Sequence, residues 1–363
     1  MRALPLLIIP IAAIAYVAWH LWNVLPIANT WKCAVIAIGT ACVLSLILDV
    51  SGALDHMPMW AARALYAVGT SSLIIMLYII MTLAVLDVLR LCHVIPQQWF
   101  YASWKSLAVF CAFISAIFLY GNIHYYNKER VAVSATTHKT LAKKTYKMVM
   151  ASDLHLGYHN TRSDLAKWID IINAEQPDIV LLAGDVIDMS VHPLIAENMS
   201  EEFRRLKAPA YACLGNHEYF SGLDAAKQFY KEAGIHLLID EAAEVDSTLV
   251  IVGRDDRTNR HRKPLSHIMQ GIDKRKYIVM LEHQPYGLYK AEKNNIDFQF
   301  SGHTHRGQVF PISLITDYIY ECSWGTHQRG DTHYYVSTGM GIWGGKFRIG
   351  TQSEYVVATI TAE

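Results

Sequence analysis

The segment Phe300 to Gln308, FSGHTHRGQ, sets two imidazoles, His303 and His305, one residue apart between glycines. Four more short segments of the chain end in comparable groups: Asp153-x-His155, Gly184-Asp185, Gly215-Asn216-His217-Glu218, and His283. Carboxylate, imidazole and carboxamide without thiolate suit Mn, Fe or Zn in a catalytic role rather than a structural zinc. Asp153, His155, Asp185, Asn216, His283, His303 and His305 are seven candidate ligands, more than one four-coordinate ion can use. Two ions sharing a carboxylate can use them, and ions held about 3.5–4 Å apart clamp both the attacking and the leaving oxygen of an in-line displacement.

Each segment follows a short β-rich run: MVMASDLH, DIVLLAGD, AYACLGNHE, YIVMLEHQ and FQFSGHTH. Between the first two, Leu165, Trp168, Ile169 and Ile172 fall at helical spacing, with Ser163 expected as N-cap. Strands alternating with helices predict an α/β layered domain, and ligand sites gather outside the carboxyl ends of such strands.

Taken together and in this order, DLH, GDVID, GNHE, EHQP and GHTH resemble the calcineurin-like metallophosphoesterases, over roughly residues 147–348. The resemblance implies an αββα sandwich of two mixed sheets. It implies one ion on Asp153, His155, Asp185 and His305, and a second on Asp185, Asn216, His283 and His303, with Asp185 and a hydroxide bridging. In that pattern His217 is no ligand; it faces the phosphate, stabilising the transition state or protonating the leaving oxygen, and Asp188 orients it. Arg306 stands where close relatives commonly carry glycine, and its guanidinium is a candidate either for a second phosphate or for a solvent-facing position. Arg348, in the tail stretch MGIWGGKFRIG, is a candidate either for substrate contact or for packing the rim. Glu218 reads as a plain helix N-terminal acid. The stretch RDDRTNRHRK, Arg254 to Lys263, reads as a solvated loop, with attraction to anionic headgroups as the alternative.

The chain has 363 residues and zero formal net charge, which speaks against a nucleic-acid partner. Its charge is unevenly spread: residues 1–123 are almost free of acids and bases. Four apolar runs there, 4–24, 29–50, 64–86 and 105–123, are expected as transmembrane helices, with tryptophans at their ends. The expected organisation is a membrane anchor over 1–125 and the sandwich over 126–363. Basic residues near the spans favour a cytoplasmic face for the sandwich. Only His20 lies well inside a run; it reads as interfacial, so no transport path is expected. The six cysteines form no CxxC or paired framework.

The expectation is therefore a membrane-anchored two-metal phosphoesterase acting on a phosphate ester or pyrophosphate, on a phosphorylated small molecule or a lipid-linked substrate such as UDP-diacylglucosamine. Two rivals remain: an inactive sandwich serving as a membrane-bound interaction or regulatory module, and a transporter or receptor carrying a regulatory esterase domain.

Overall fold

The computed structural model describes residues 4–363, without the side chains of residues 4–9 and Gln97. It divides into two compact units, 1–122 with 344–346, and 123–343 with 347–363.

The first unit is helical. Among the described residues three helices are long and apolar enough to cross a membrane: Asn29–Val50, Met59–Leu91 and Trp104–Tyr126. The fourth expected span, 4–24, is also a helix, Leu4–Val24, but its first side chains lie outside the described residues. Ile38, Val85 and Phe113 point outward from these helices, an arrangement that suits lipid and not water. His20 departs from its expected interfacial setting. It is buried, its Nε2 lies 3.0 Å from Asp87 Oδ2, and Tyr16 donates its hydroxyl to the same oxygen at 2.7 Å. Asp87 falls one residue beyond the expected span, yet it is helical, because the helix runs on to Leu91.

The second unit is built on twelve strands: β1 Lys128–Thr137, β2 Thr145–Ala151, β3 Ile179–Ala183, β4 Ala210–Cys213, β5 His236–Leu237, β6 Glu241–Glu244, β7 Leu249–Gly253, β8 Tyr277–Leu281, β9 Phe298–Ser301, β10 Gly325–Arg329, β11 Thr332–Val336 and β12 Ser353–Ala362. They form two six-stranded sheets, ordered β1-β12-β2-β3-β4-β5 and β10-β11-β9-β8-β7-β6. Successive side chains of a strand point to opposite faces, so each central strand feeds two cores. Met148, Met150, Leu181, Ile251, Val279 and Phe300 meet between the sheets. Val149 and Leu182 face Leu165, Trp168, Ile169 and Ile172 of the helix Arg162–Ala174. On the far side, Val250, Ile278 and Met280 pack on Leu265, Leu288 and Ile296. Burial on both faces explains why these strands read as unbroken apolar runs rather than alternating ones. The result is the expected αββα sandwich.

Local deviations are small. The helix Arg162–Ala174 begins earlier than expected: Thr161 is its N-cap, and Asp164 Oδ2 accepts from the Thr161 N–H at 3.1 Å. Strands β2, β3 and β4 run parallel in one sheet, and β7, β8 and β9 in the other. Their carboxyl ends therefore deliver Asp153, Asp185, Asn216, Asp256, His283 and His303 to one edge of the sandwich.

Candidate metal centre

The loops leaving these strands are held in an uncommon conformation. Asp153, His155, Asp185, His303 and His305 all have positive φ, between 45° and 73°. Non-glycine residues enter this region at a cost of roughly 1–2 kcal/mol each, and such residues cluster where function over-determines the backbone. Two glycines permit close approach: a Cβ at Gly302 would overlap Asp153 Oδ2, and one at Gly215 would overlap Asp185 Oδ1.

All seven expected ligands are buried or half-buried, and six of them form two triads. In the first, Asp153 Oδ1 lies 3.5 Å from His305 Nε2 and 3.9 Å from His155 Nε2. The second comprises Asp185, His283 and His303. Asp185 stands between the two, its Oδ2 3.0 Å from His283 Nε2 and 3.8 Å from His155 Nε2. Donor atoms about 2.0–2.2 Å from a common ion are necessarily about 3–4 Å from one another, so these separations fit.

Hydrogen bonds outside the cluster orient its rings. His283 Nδ1–H donates to the Ala183 carbonyl at 2.7 Å, which aims its Nε2 at Asp185 Oδ2, 3.0 Å away, where the Asp185 charge outweighs burial and raises the imidazole. His155 Nδ1 lies 3.3 Å from Asp188 Oδ1, which turns its Nε2 toward His305 Nε2 at 3.1 Å. Asn216 Oδ1 is buried with no hydrogen-bond donor. Asn216 Oδ1 thus lacks a donor, and the Nε2 atoms of His155, His283 and His305 converge on the Asp153 and Asp185 carboxylates, an arrangement that a cation satisfies. The residues present fit a pair of divalent ions.

The charges respond as a coupled set. Burial and the Asp185 charge raise the carboxyl of Asp153. Asp185 is driven well below the usual carboxylate range despite its burial, by His283 and His217. Burial, then the neighbouring His283, presses His303 down to about 4, and burial with His155 lowers His305. For His217 burial opposes the imidazolium, but Asp185 and Asp188 outweigh it and hold the ring up at about 9.

His217 lies at the edge of the cluster, within ligand distance of His155 and Asp185 and half-buried against the exposed ring of Phe220. Its Nδ1 is 3.1 Å from Asp188 Oδ1. Asp188 thereby serves two histidines, not one.

The two arginines separate. Arg306 has φ 49° and ψ 39°, the left-handed region that explains why glycine suits this position. Its guanidinium is stacked 4.3 Å over Trp324, whose Nε1–H is fixed by Glu354 at 3.2 Å. Arg348 cannot meet substrate. It is fully buried, donating to the carbonyls of His305 at 2.9 Å, Thr338 at 2.6 Å and Gly341 at 3.1 Å, and to Ser353 Oγ at 3.1 Å. It braces the loop that carries His305.

Two residues outside the expected set matter as well. Glu218 is fully buried; Oε2 accepts from the amides of Asp185 and Gly215, and Oε1 from those of Val186 and Ile187 and from the Tyr230 hydroxyl. It ties the Asp185 loop to the Asn216 helix, far more than a terminal acid does. Its spacing from Gly215 is that of a capping box, a cue present in GNHE. The charged stretch after β7 is only partly solvated. Arg254, Asp255 and Asp256 are buried, Asp256 accepts from Gln284 Nε2 at 2.9 Å, and its charge acts on His283 and His303.

Comparison with known proteins identifies the family. The calcineurin-like phosphoesterase family model matches residues 146–307. A metallophosphoesterase of Aquifex aeolicus (strain VF5) is 32% identical over 225 residues, covering 59% of this chain and 84% of that protein. A Danio rerio protein named as a transmembrane protein with metallophosphoesterase domain is 29% identical over 226 residues, 57% of this chain and 51% of its own length. Among solved structures, a 5'-nucleotidase precursor from Thermus thermophilus overlaps at a TM-score of 0.36 and 16% identity, covering 60% of this chain and 54% of that one. The chain belongs to the calcineurin-like metallophosphoesterase family and is a metal-dependent phosphoesterase.

Proposed function

We propose that this chain hydrolyses a phosphate ester or anhydride on a substrate held at a membrane, using two divalent ions at Asp153, His155, Asp185 and His305, and at Asp185, Asn216, His283 and His303. The observation that carries the reading is the Asp185 carboxylate standing between the two triads, its Oδ2 3.0 Å from His283 Nε2 and 3.8 Å from His155 Nε2. Bound there, the ions would supply Lewis acidity and lower the pKa of water so that a nucleophile forms near neutral pH.

The protein's own groups supply the rest. His283 is oriented by the Ala183 carbonyl and His155 by Asp188, so neither ring needs to turn to meet a ligand. His217, favoured in its protonated form by Asp185 and Asp188, can donate a proton or hydrogen bond to a phosphoryl or leaving oxygen. Arg306, held flat on Trp324, can meet a second phosphate, which favours a pyrophosphate or a substrate with a charged headgroup.

The apolar helices motivate a lipid-linked substrate such as UDP-diacylglucosamine, with the sandwich on the cytoplasmic face. The test is the detergent-solubilised chain, loaded with Mn²⁺, against a panel of lipid pyrophosphates and nucleotide diesters, with Asp185→Asn as control. Preferential cleavage of lipid pyrophosphates supports the reading. Cleavage of generic diesters with lipid pyrophosphates left intact removes the lipid part, and equal rates for Asp185→Asn remove the metal part.

A further inference from the structure

The helix Ile312–Ile319 is built the wrong way round for a domain surface in water. Ser313 is buried at 6% exposure, Thr316 returns its hydroxyl to the Ser313 carbonyl, and Asp317 accepts from Ser323 Oγ. The polar residues thus face the domain or are tied to it. The apolar ones face out: Leu314 is 58% exposed, Ile315 55%, Ile319 55% and Tyr318 91%. With Ile312 they sweep an arc of about 160° of the helix. Phe310, just ahead of the helix, is exposed too. A surface helix of a water-bathed domain shows the reverse pattern. Among the described residues beyond Tyr126, nine large apolar side chains are exposed, and six of these nine lie within Phe310–Ile319. Concentration of this kind marks an interaction site.

We propose that this helix inserts its apolar face into the bilayer surface, bringing the mouth of the metal centre to the headgroup layer. Several features select lipid as the occupant. The last membrane-competent helix ends at Tyr126 and β1 starts at Lys128, so one residue, Asn127, joins the sandwich to a span. With that helix across a membrane, the sandwich stays beside the bilayer. The helix carries no Lys or Arg, its single acid is engaged by Ser323, and its most exposed residue is a tyrosine, an amphipathic ring at home in the interface. A second copy of the chain is the poorer occupant. Eight residues make a helix about 12 Å long, small against the roughly 800 Å² per partner of a stable protein interface.

The placement has consequences for the site. The helix begins seven residues after His305 and packs on the turn His305–Gly307. Tyr320, directly after it, shares a hydroxyl hydrogen bond of 2.9 Å with Tyr286 and lies 6.4 Å, ring to ring, from His303. Exposed Arg257 stacks 4.0 Å over Tyr286. Insertion would therefore set a basic, aromatic rim against lipid phosphates. This inference rests on exposure and tethering, not on the proposed substrate, and it stands or falls separately from that reading.

The experiment uses the full chain in lipid nanodiscs holding one copy each, with Cys33, Cys92 and Cys111 replaced by serine. A bimane label is placed through Leu314→Cys or, at the opposite end of the sheet, through Arg275→Cys. The expected result is blue-shifted emission at position 314 that is quenched by lipids brominated in their acyl chains, with neither effect at 275. Tyr318→Cys repeats the measurement should the first variant melt below the unlabelled chain. Water-like emission at 314 and 318 overturns the proposal, and so does a blue shift without bromolipid quenching, which would mean cover by protein.

Discussion

His217 Nδ1 stands 3.1 Å from Asp188 Oδ1, and the same oxygen lies 3.3 Å from His155 Nδ1. Burial would raise that carboxyl, but the two neighbouring imidazoles hold it well below the usual range. One carboxylate thus orients both a candidate ligand and a candidate proton donor. Asp188→Asn is expected to lose metal and activity together, by about 10–100-fold. His217→Ala should cost about 10²–10⁴-fold in kcat while leaving bound metal unchanged. Equal metal loss in both variants would contradict this division of roles.

Glu218 joins two loops through four backbone amides. Glu218→Gln points an NH₂ group at donors that need an acceptor, a loss of about 2 kcal/mol. For a domain of this size that lowers Tm by roughly 4–8 °C. An unchanged melting curve would show that the carboxylate is dispensable.

Arg306 and Arg348 should answer differently to substitution. Arg306→Gly relaxes a left-handed backbone and removes a guanidinium from the rim. It is expected to raise KM by about 10–100-fold, the worth of a charge-assisted hydrogen bond, with metal content and Tm retained. Arg348→Lys cannot span the carbonyls of His305, Thr338 and Gly341, so Tm should fall and KM hold. A KM effect confined to Arg348→Lys would reverse the assignment.

Away from the centre, Arg130 grips Glu175 at 2.7 and 3.0 Å and brings its carboxyl down to about 2. A carboxyl depressed on folding stabilises the fold above its unfolded value of about 4.5, and that contribution fades as pH falls through 2. The pair is partly solvated, so the effect is about 1 kcal/mol at most. Thermal melts should therefore separate wild type from Arg130→Ala at pH 6 and converge near pH 2. Parallel curves across that range would refute the linkage.

The strands and their polar tips were legible because buried parallel strands are apolar throughout and end at glycine or a charged residue. Asp153, Asp185 and the histidines announced themselves by type and order. What stayed hidden was contact across the chain. Nothing local in RDDRTNRHRK distinguishes Asp256, buried beside Gln284, from the solvated Arg260 four residues on. Arg348 was open between substrate contact and packing, because its four partners come from segments folded around it. Asp87 lies one residue past an apolar run and meets Tyr16 and His20 only once two helices pack. The outward face of Ile312–Ile319 was equally silent, since helical spacing reports a stripe and not the direction it faces.

The central claim is that scattered strand ends grip two cations. Elemental analysis of the purified full chain, together with anomalous scattering from its crystals, tests it most directly. Two ions per chain are predicted, one among Asp153, His155 and His305 and one among Asp185, His283 and His303, with stoichiometry reduced in Asp185→Asn. Absence of metal above background, or ions bound elsewhere and indifferent to Asp185, would contradict the account.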